Sequence, residues 1–166
     1  LVALDKHPAQ SRYRILETVR QYAREKLMET GQGEEIRKKH FDYFFKLATE
    51  VEPHIQYGPA QLTWLDKLED ELGNFYAALE WSLENGMESG AELIAKLWWF
   101  WDRRGHWLEG YEWTQRALEL VSGKTSLRAK LLAEAGWLAS ELVYHQKSIA
   151  HAMESVALYR LLGDKA

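Results

Sequence analysis

"AKLWWFWDRRGHWLEGYEWTQRALEL" occupies residues 95–120, and "AEAGWLASELVYHQKSIAHAMESVAL" occupies 133–158. At an offset of 38 residues, Ala95 falls on Ala133, Trp99 on Trp137, Gly110 on Ser148, Thr114 on Ala152 and Ala117 on Ser155. Small residues recur where the two helices of a hairpin must approach closely. An earlier unit is visible in "AALEW" (77–81), 39 residues before "RALEL" (116–120). The two aligned stretches are therefore read as successive helical hairpins.

The four consecutive aromatics Trp98–Trp101 could otherwise suggest a membrane segment. The apolar run around them, Leu93–Trp101, contains Lys96 and is about half the ~20 residues a span requires. A helical wheel at about 100° per residue places Ile94, Leu97, Trp98 and Trp101 on one face, with Leu93 and Phe100 on its flank. Trp98 and Trp101 are expected in the core. Trp99 points nearly opposite, beside Glu92, Ala95, Asp102 and Arg103. It is either a second packing layer or part of a groove shared with Trp137.

Helical periodicity extends over most of the chain. It begins at Glu17, where Val19, Tyr22, Ala23 and Leu27 form a stripe that Gly31 ends. Ile36, His40, Tyr43, Phe44, Leu47 and Val51 form the next stripe, with Phe41 and Phe45 on a second face and an expected end before Pro53. A helix starting after Pro59 carries Leu62, Leu65 and Leu68, and Gly73-Asn74 marks a break. Phe75, Ala78, Leu79 and Leu83 continue to Asn85-Gly86. Further helices are predicted over 88–104, 107–121, 125–143 and 145–162. Upstream of Glu17, two short extended runs flank Asp5–Gln10 and read as a β-hairpin.

A period of 38 residues lies near the ~34 residues of a tetratricopeptide (TPR) repeat. Gly136 stands where that repeat's first helix carries a glycine, and its later aromatic is missing. The fold class expected is all-α: a right-handed TPR-like helical-hairpin solenoid with a short N-terminal β-hairpin.

Composition narrows the function. With 46% hydrophobic and 28% charged residues, the chain can bury a core and keep a solvated surface. A net charge of −4 argues against a nucleic-acid surface, which needs a concentrated basic patch. Arg12, Arg14, Arg20 and Arg24 are interleaved with Asp5, Glu17 and Glu25, so direct DNA contact is not expected. Cysteine is absent, which excludes disulfide and thiolate chemistry and is compatible with a cytoplasmic setting. The chain begins without Met and is read as part of a longer protein.

The order of segments "RYRILETVRQYAREKL" (12–27), "RKKHFDYFFKLATEVEP" (37–53), "WLDKLEDELGNFYAALEWSLENG" (64–86), "LWWFWDRRGHWLEGYEWTQRALEL" (97–120) and "LYRLLGDKA" (158–166) resembles bacterial STAND-class signalling ATPases of the AfsR or LuxR type of transcriptional regulator. In that family a winged-helix domain closes with a hairpin and an "RY-hydrophobic-LET-[VI]-R-x-YA" helix, and a TPR-like superhelix follows. The resemblance implies that residues 1–30 are the remnant of a winged helix and 31–166 the start of a TPR-like sensor array. It also implies a signal-transduction role in which a ligand or partner on the superhelix biases an ATPase core lying outside this chain.

Other motifs carry less. "SGKT" (Ser122–Thr125) resembles the end of a P-loop, but the required first glycine position is Leu118, inside a helix. An inter-helix turn with Thr125 or Ser126 as N-cap explains it. His7, His40, His54, His106, His145 and His151 form no metal-ligand spacing on one helix face, so no metal, cofactor or catalytic residue is expected. The candidate binding surface is the groove carrying Glu92, Trp99, Asp102, Arg103, Lys130 and Trp137, suited to a peptide, a protein or a small-molecule inducer. The expected function is a non-catalytic ligand-sensing and protein-interaction module. The alternative is a TPR-like assembly scaffold that binds a partner without nucleotide switching.

Overall fold

The computed structural model describes residues 2–6, 11–15, 17–29 and 31–163. The chain divides into two compact units, Leu1–His40 and Phe41–Ala166. In the first unit, β1 (Val2–Lys6) and β2 (Ser11–Ile15) pair antiparallel, Val2 opposite Ile15 and Lys6 opposite Ser11. The segment joining them, including His7 and Pro8, lies outside the described residues, as do the side chains of Arg12, Arg14, Arg20 and Arg24. Helix α1 (Glu17–Glu29) follows. Tyr22 is exposed rather than part of a buried stripe, and its ring faces the Lys26 ammonium one turn on, at 5.8 Å.

Helix α2 (Gly33–Gln56) runs through Pro53 instead of ending before it. Two local facts hold the last turn. Ile55 is buried in the core, and the Gln61 side-chain amide donates to the carbonyls of Ile55 (2.8 Å) and Gln56 (3.0 Å). The terminal acceptors that a broken helix would leave bare are thereby satisfied. The buried face is Phe41, Phe44, Leu47, Ala48, Val51 and Ile55. Tyr43, placed on that stripe by periodicity, is 62% exposed.

Helices α3 (Gln61–Asp70) and α4 (Leu72–Glu84) bury Leu65, Leu68, Phe75, Ala78, Leu79 and Trp81, while Leu62 is left in solvent. The break between them is at Glu71, not Gly73-Asn74. Asn74 lies in the first turn of α4 and its amide donates to the Glu71 carboxylate at 2.6 Å, so it supports a helix start.

The predicted helix over 88–104 is two helices, α5 (Glu88–Lys96) and α6 (Trp98–Arg104). At Leu97 the backbone N–H is shared between the carbonyls of Leu93 (3.2 Å) and Ile94 (3.1 Å), and ψ is −3°. Such a tightened turn advances more than 100° per residue. Residues beyond it rotate forward, so Phe100 and Trp101 are both 0% exposed while Trp98 moves to the edge of the core, half-buried. The expectation of Trp98 as a core residue fails for this reason.

Helices α7 (Trp107–Leu120), α8 (Ser126–Glu141) and α9 (His145–Leu162) complete the second unit. Helices α8 and α9 are antiparallel. Ala139 accepts from the Tyr144 N–H at their junction, the Ser148 hydroxyl donates to the Gly136 carbonyl, and the Ser155 hydroxyl donates to the Ala129 carbonyl at the far end. The repeat offset recurs in the turns. His106 N–H bonds Trp101 O (3.0 Å) after α6, and Tyr144 N–H bonds Ala139 O (2.7 Å) after α8. Gly105 N–H bonds Asp102 O and Val143 N–H bonds Ser140 O, completing the paired bonds of a Schellman motif in each case. The left-handed residue is Gly105 (φ 74°) in the first turn and Val143 (φ 62°) in the second. Gly110 permits the close approach of α6 and α7, since a Cβ there would lie 2.9 Å from the Trp101 side chain.

Among the described residues, no helix is long and apolar enough to cross a membrane.

Candidate functional site

The last turn of α2 reaches α5, α6 and α8, and an open cavity of about 390 Å³ lies between them. It is lined by Glu52, Pro53 and Gln56 from α2, Ala95 from α5, Trp99 from α6, and Lys130 and Glu134 from α8. The α2 residues are present because that helix passes Pro53. Trp99 faces the cavity because the tightened turn at Leu97 sends Phe100 and Trp101 inward.

Four charged groups meet at this site. Glu52 receives Lys96 Nζ at 3.0 Å on one carboxylate oxygen and Lys130 Nζ at 3.4 Å on the other. Lys130 also lies 3.9 Å from Glu134 Oε1, one helical turn away on α8. Glu134 is only 5% exposed, and its Oε2 has no hydrogen-bond partner among the described residues. Burial raises the Glu134 carboxyl well above the usual carboxylate range. Lys130 works against this shift and the Glu52 charge adds to it.

Beside the cavity the aromatic rings form a chain. Tyr57 lies 6.0 Å from Trp99, Trp99 meets Trp98 edge-on at 4.3 Å, and Trp98 meets Trp137 at 6.3 Å. The Arg103 guanidinium sits over the Trp99 ring at 4.9 Å. Trp137 is 51% exposed, and its indole N–H donates to Asp102 at 2.8 Å.

Of the six residues assigned to the groove, Trp99 and Lys130 line the cavity, and Asp102, Arg103 and Trp137 border it through the aromatic chain. The two indoles are linked through Trp98 and Asp102 rather than stacked on each other. Glu92 is exposed and lines no part of the cavity. Sequence reasoning missed Glu52, Pro53, Gln56 and Glu134. Glu134 had a visible signal: it falls three residues after Leu131 and four before Leu138, an acid on an otherwise apolar helix face. The α2 residues had none, since their approach depends on the chain passing through Pro53.

"SGKT" forms the turn between α7 and α8. Thr125 is the N-cap of α8, its hydroxyl accepting from the Arg128 N–H at 3.1 Å. The described residues contain no group of three or more His, Asp or Glu side chains able to hold a metal ion.

No family model matches the chain, and no solved structure matches it significantly. Its whole length is 34% identical, over 176 aligned positions, to proteins named "Putative HTH-type transcriptional regulator" from Mycobacterium bovis and Mycobacterium tuberculosis. The chain spans 20% of the length of these curated relatives.

Proposed function

We propose that this chain is the sensor and interaction segment of a bacterial transcriptional regulator of the STAND type, acting without catalysis of its own. The observation that carries the reading is the similarity of the whole chain to much longer proteins named as regulators. The cavity bordered by Trp99 supports a sensing role. It is concave, has an aromatic wall and a few converging polar groups, and its volume of about 390 Å³ lies in the range of small-ligand sites. On this reading the helical hairpins are the first units of a right-handed, TPR-like solenoid, and residues 1–30 close a winged helix. An inducer or partner held at the groove biases an ATPase core elsewhere in the protein.

Substitution in the complete regulator tests this. Trp99→Ala and Trp137→Ala should abolish the induced transcription of a reporter gene and leave nucleotide binding by the core intact. Full induction in both variants would remove the groove from the sensing role.

The assembly-scaffold reading has one observation in its favour. Ile149, Met153 and Val156 form an exposed apolar stripe on α9, at spacings that share a helix face. A protein whose induced transcription survives loss of nucleotide binding would favour the scaffold.

A further inference from the structure

We infer that the cavity between α2, α5, α6 and α8 is a receptor for a small organic cation. Its ammonium or guanidinium group would lie between the carboxyl groups of Glu134 and Glu52, and its flat apolar body against Trp99 and Pro53. The inference rests on the sensor reading above and specifies the ligand class.

A buried polar atom without a partner is costly, and native folds rarely keep one without reason. Glu134 Oε2 is such an atom on a residue that lines an open cavity. What it lacks is a donor. The cations already present are committed to Glu52. Lys96 is held at 3.0 Å and also lies over the Phe45 ring, 5.7 Å from its centre. Lys130 is held more loosely, at 3.4 Å from Glu52 and 3.9 Å from Glu134, with 44% of its side chain in solvent. Lys130 can therefore leave for water at little cost, and an entering ammonium can take its place and also reach Glu134. Trp99 supplies the apolar wall for the rest of the ligand. An anion fits poorly. It would enter between two carboxyl groups and would have to draw Lys130 away from Glu52 to find a counter-charge.

Proton balance follows from the same geometry. The groups facing Glu134 are Lys130 on its own helix and Glu52 on α2, with Lys96 of α5 behind Glu52. In the empty site, burial favours the neutral acid. When a cation binds, the Glu134 O–H proton leaves to solvent and an N–H donor takes its place at the ionised carboxylate. Binding therefore releases a proton, and affinity rises with pH until the raised pKa of Glu134 is passed.

Calorimetric titration of the chain with benzylamine, benzoate and benzyl alcohol tests the inference. Benzylamine should bind saturably, with a heat that varies with the ionisation enthalpy of the buffer because a proton is released, and the other two should not bind. Glu134→Gln should weaken benzylamine about tenfold or more. Lys130→Met, which removes the competing ammonium, should tighten it. A thermal melt verifies that each variant is folded. If Glu134→Gln does not fold, Lys130→Met and Glu52→Gln carry the test with opposite expected signs. Benzoate binding as tightly as benzylamine would overturn the inference. So would benzylamine affinity unchanged by every folded variant, or the absence of saturable benzylamine binding up to about 10 mM. Failure of cation binding alongside loss of induction in Trp99→Ala would overturn the ligand class alone. Cation binding alongside full induction in Trp99→Ala and Trp137→Ala would retain the receptor and overturn its sensing role.

Discussion

Trp99 and Trp101 are two residues apart and have opposite fates. Trp101 is fully buried between α6 and α7, where Gly110 leaves room for its ring. Trp99 is half-buried, with Arg103 over its face and the cavity at its side. Trp101→Ala should cost roughly 3–5 kcal/mol, the usual loss for a large aromatic removed from a packed core. Trp99→Ala should cost about 1 kcal/mol, because solvent already reaches the site. Denaturant titration of the two variants checks the difference, and equal losses would contradict the burial pattern. The sequence wheel placed Trp101 and Trp99 correctly and Trp98 incorrectly, since a constant advance per residue cannot represent the tightened turn at Leu97.

At the scale of elements, the repeat visible in the sequence reappears as a repeated turn. After α6 the left-handed position is glycine, which adopts positive φ without steric cost. After α8 the equivalent position is Val143, a β-branched residue at φ 62°, exposed to solvent. That conformation strains any residue with a Cβ by about 1–2 kcal/mol. Val143→Gly should therefore stabilise the chain by up to about 1 kcal/mol, after subtracting the extra backbone entropy that glycine loses on folding. A rise in melting temperature would show this, and a fall would mean that Val143 packing outweighs its strain. The helix boundaries near 107–121, 125–143 and 145–162 were legible because each turn has its own capping or left-handed residue. The passage of α2 through Pro53 was not legible. It depends on Gln61, five residues beyond the end of α2, bonding back to the helix's last carbonyls.

For the whole molecule, absence of nucleotide binding by this chain remains an expectation to be measured. Gly123-Lys124-Thr125 lies in a turn between two helices, and the Thr125 hydroxyl is engaged in capping α8. A P-loop instead presents its backbone N–H groups between a strand and a helix. Titration with Mg-ATP should give no saturable micromolar binding, and binding lost on Lys124→Ala would contradict this. The sequence by itself determined that the chain is mainly helical, that its second half repeats at 38 residues, and that Trp99 and Trp137 occupy equivalent positions. These follow from local periodicity and from self-similarity, which need no knowledge of what packs where. Only the tertiary structure decided that Glu52 and Glu134, 82 positions apart, share one cavity with Lys130 and Trp99. The physical reason is that the site is made by the last turn of α2 reaching α8, and which helix faces meet is settled by burial of Ile55, Phe100 and Trp101 together, a requirement no single segment carries.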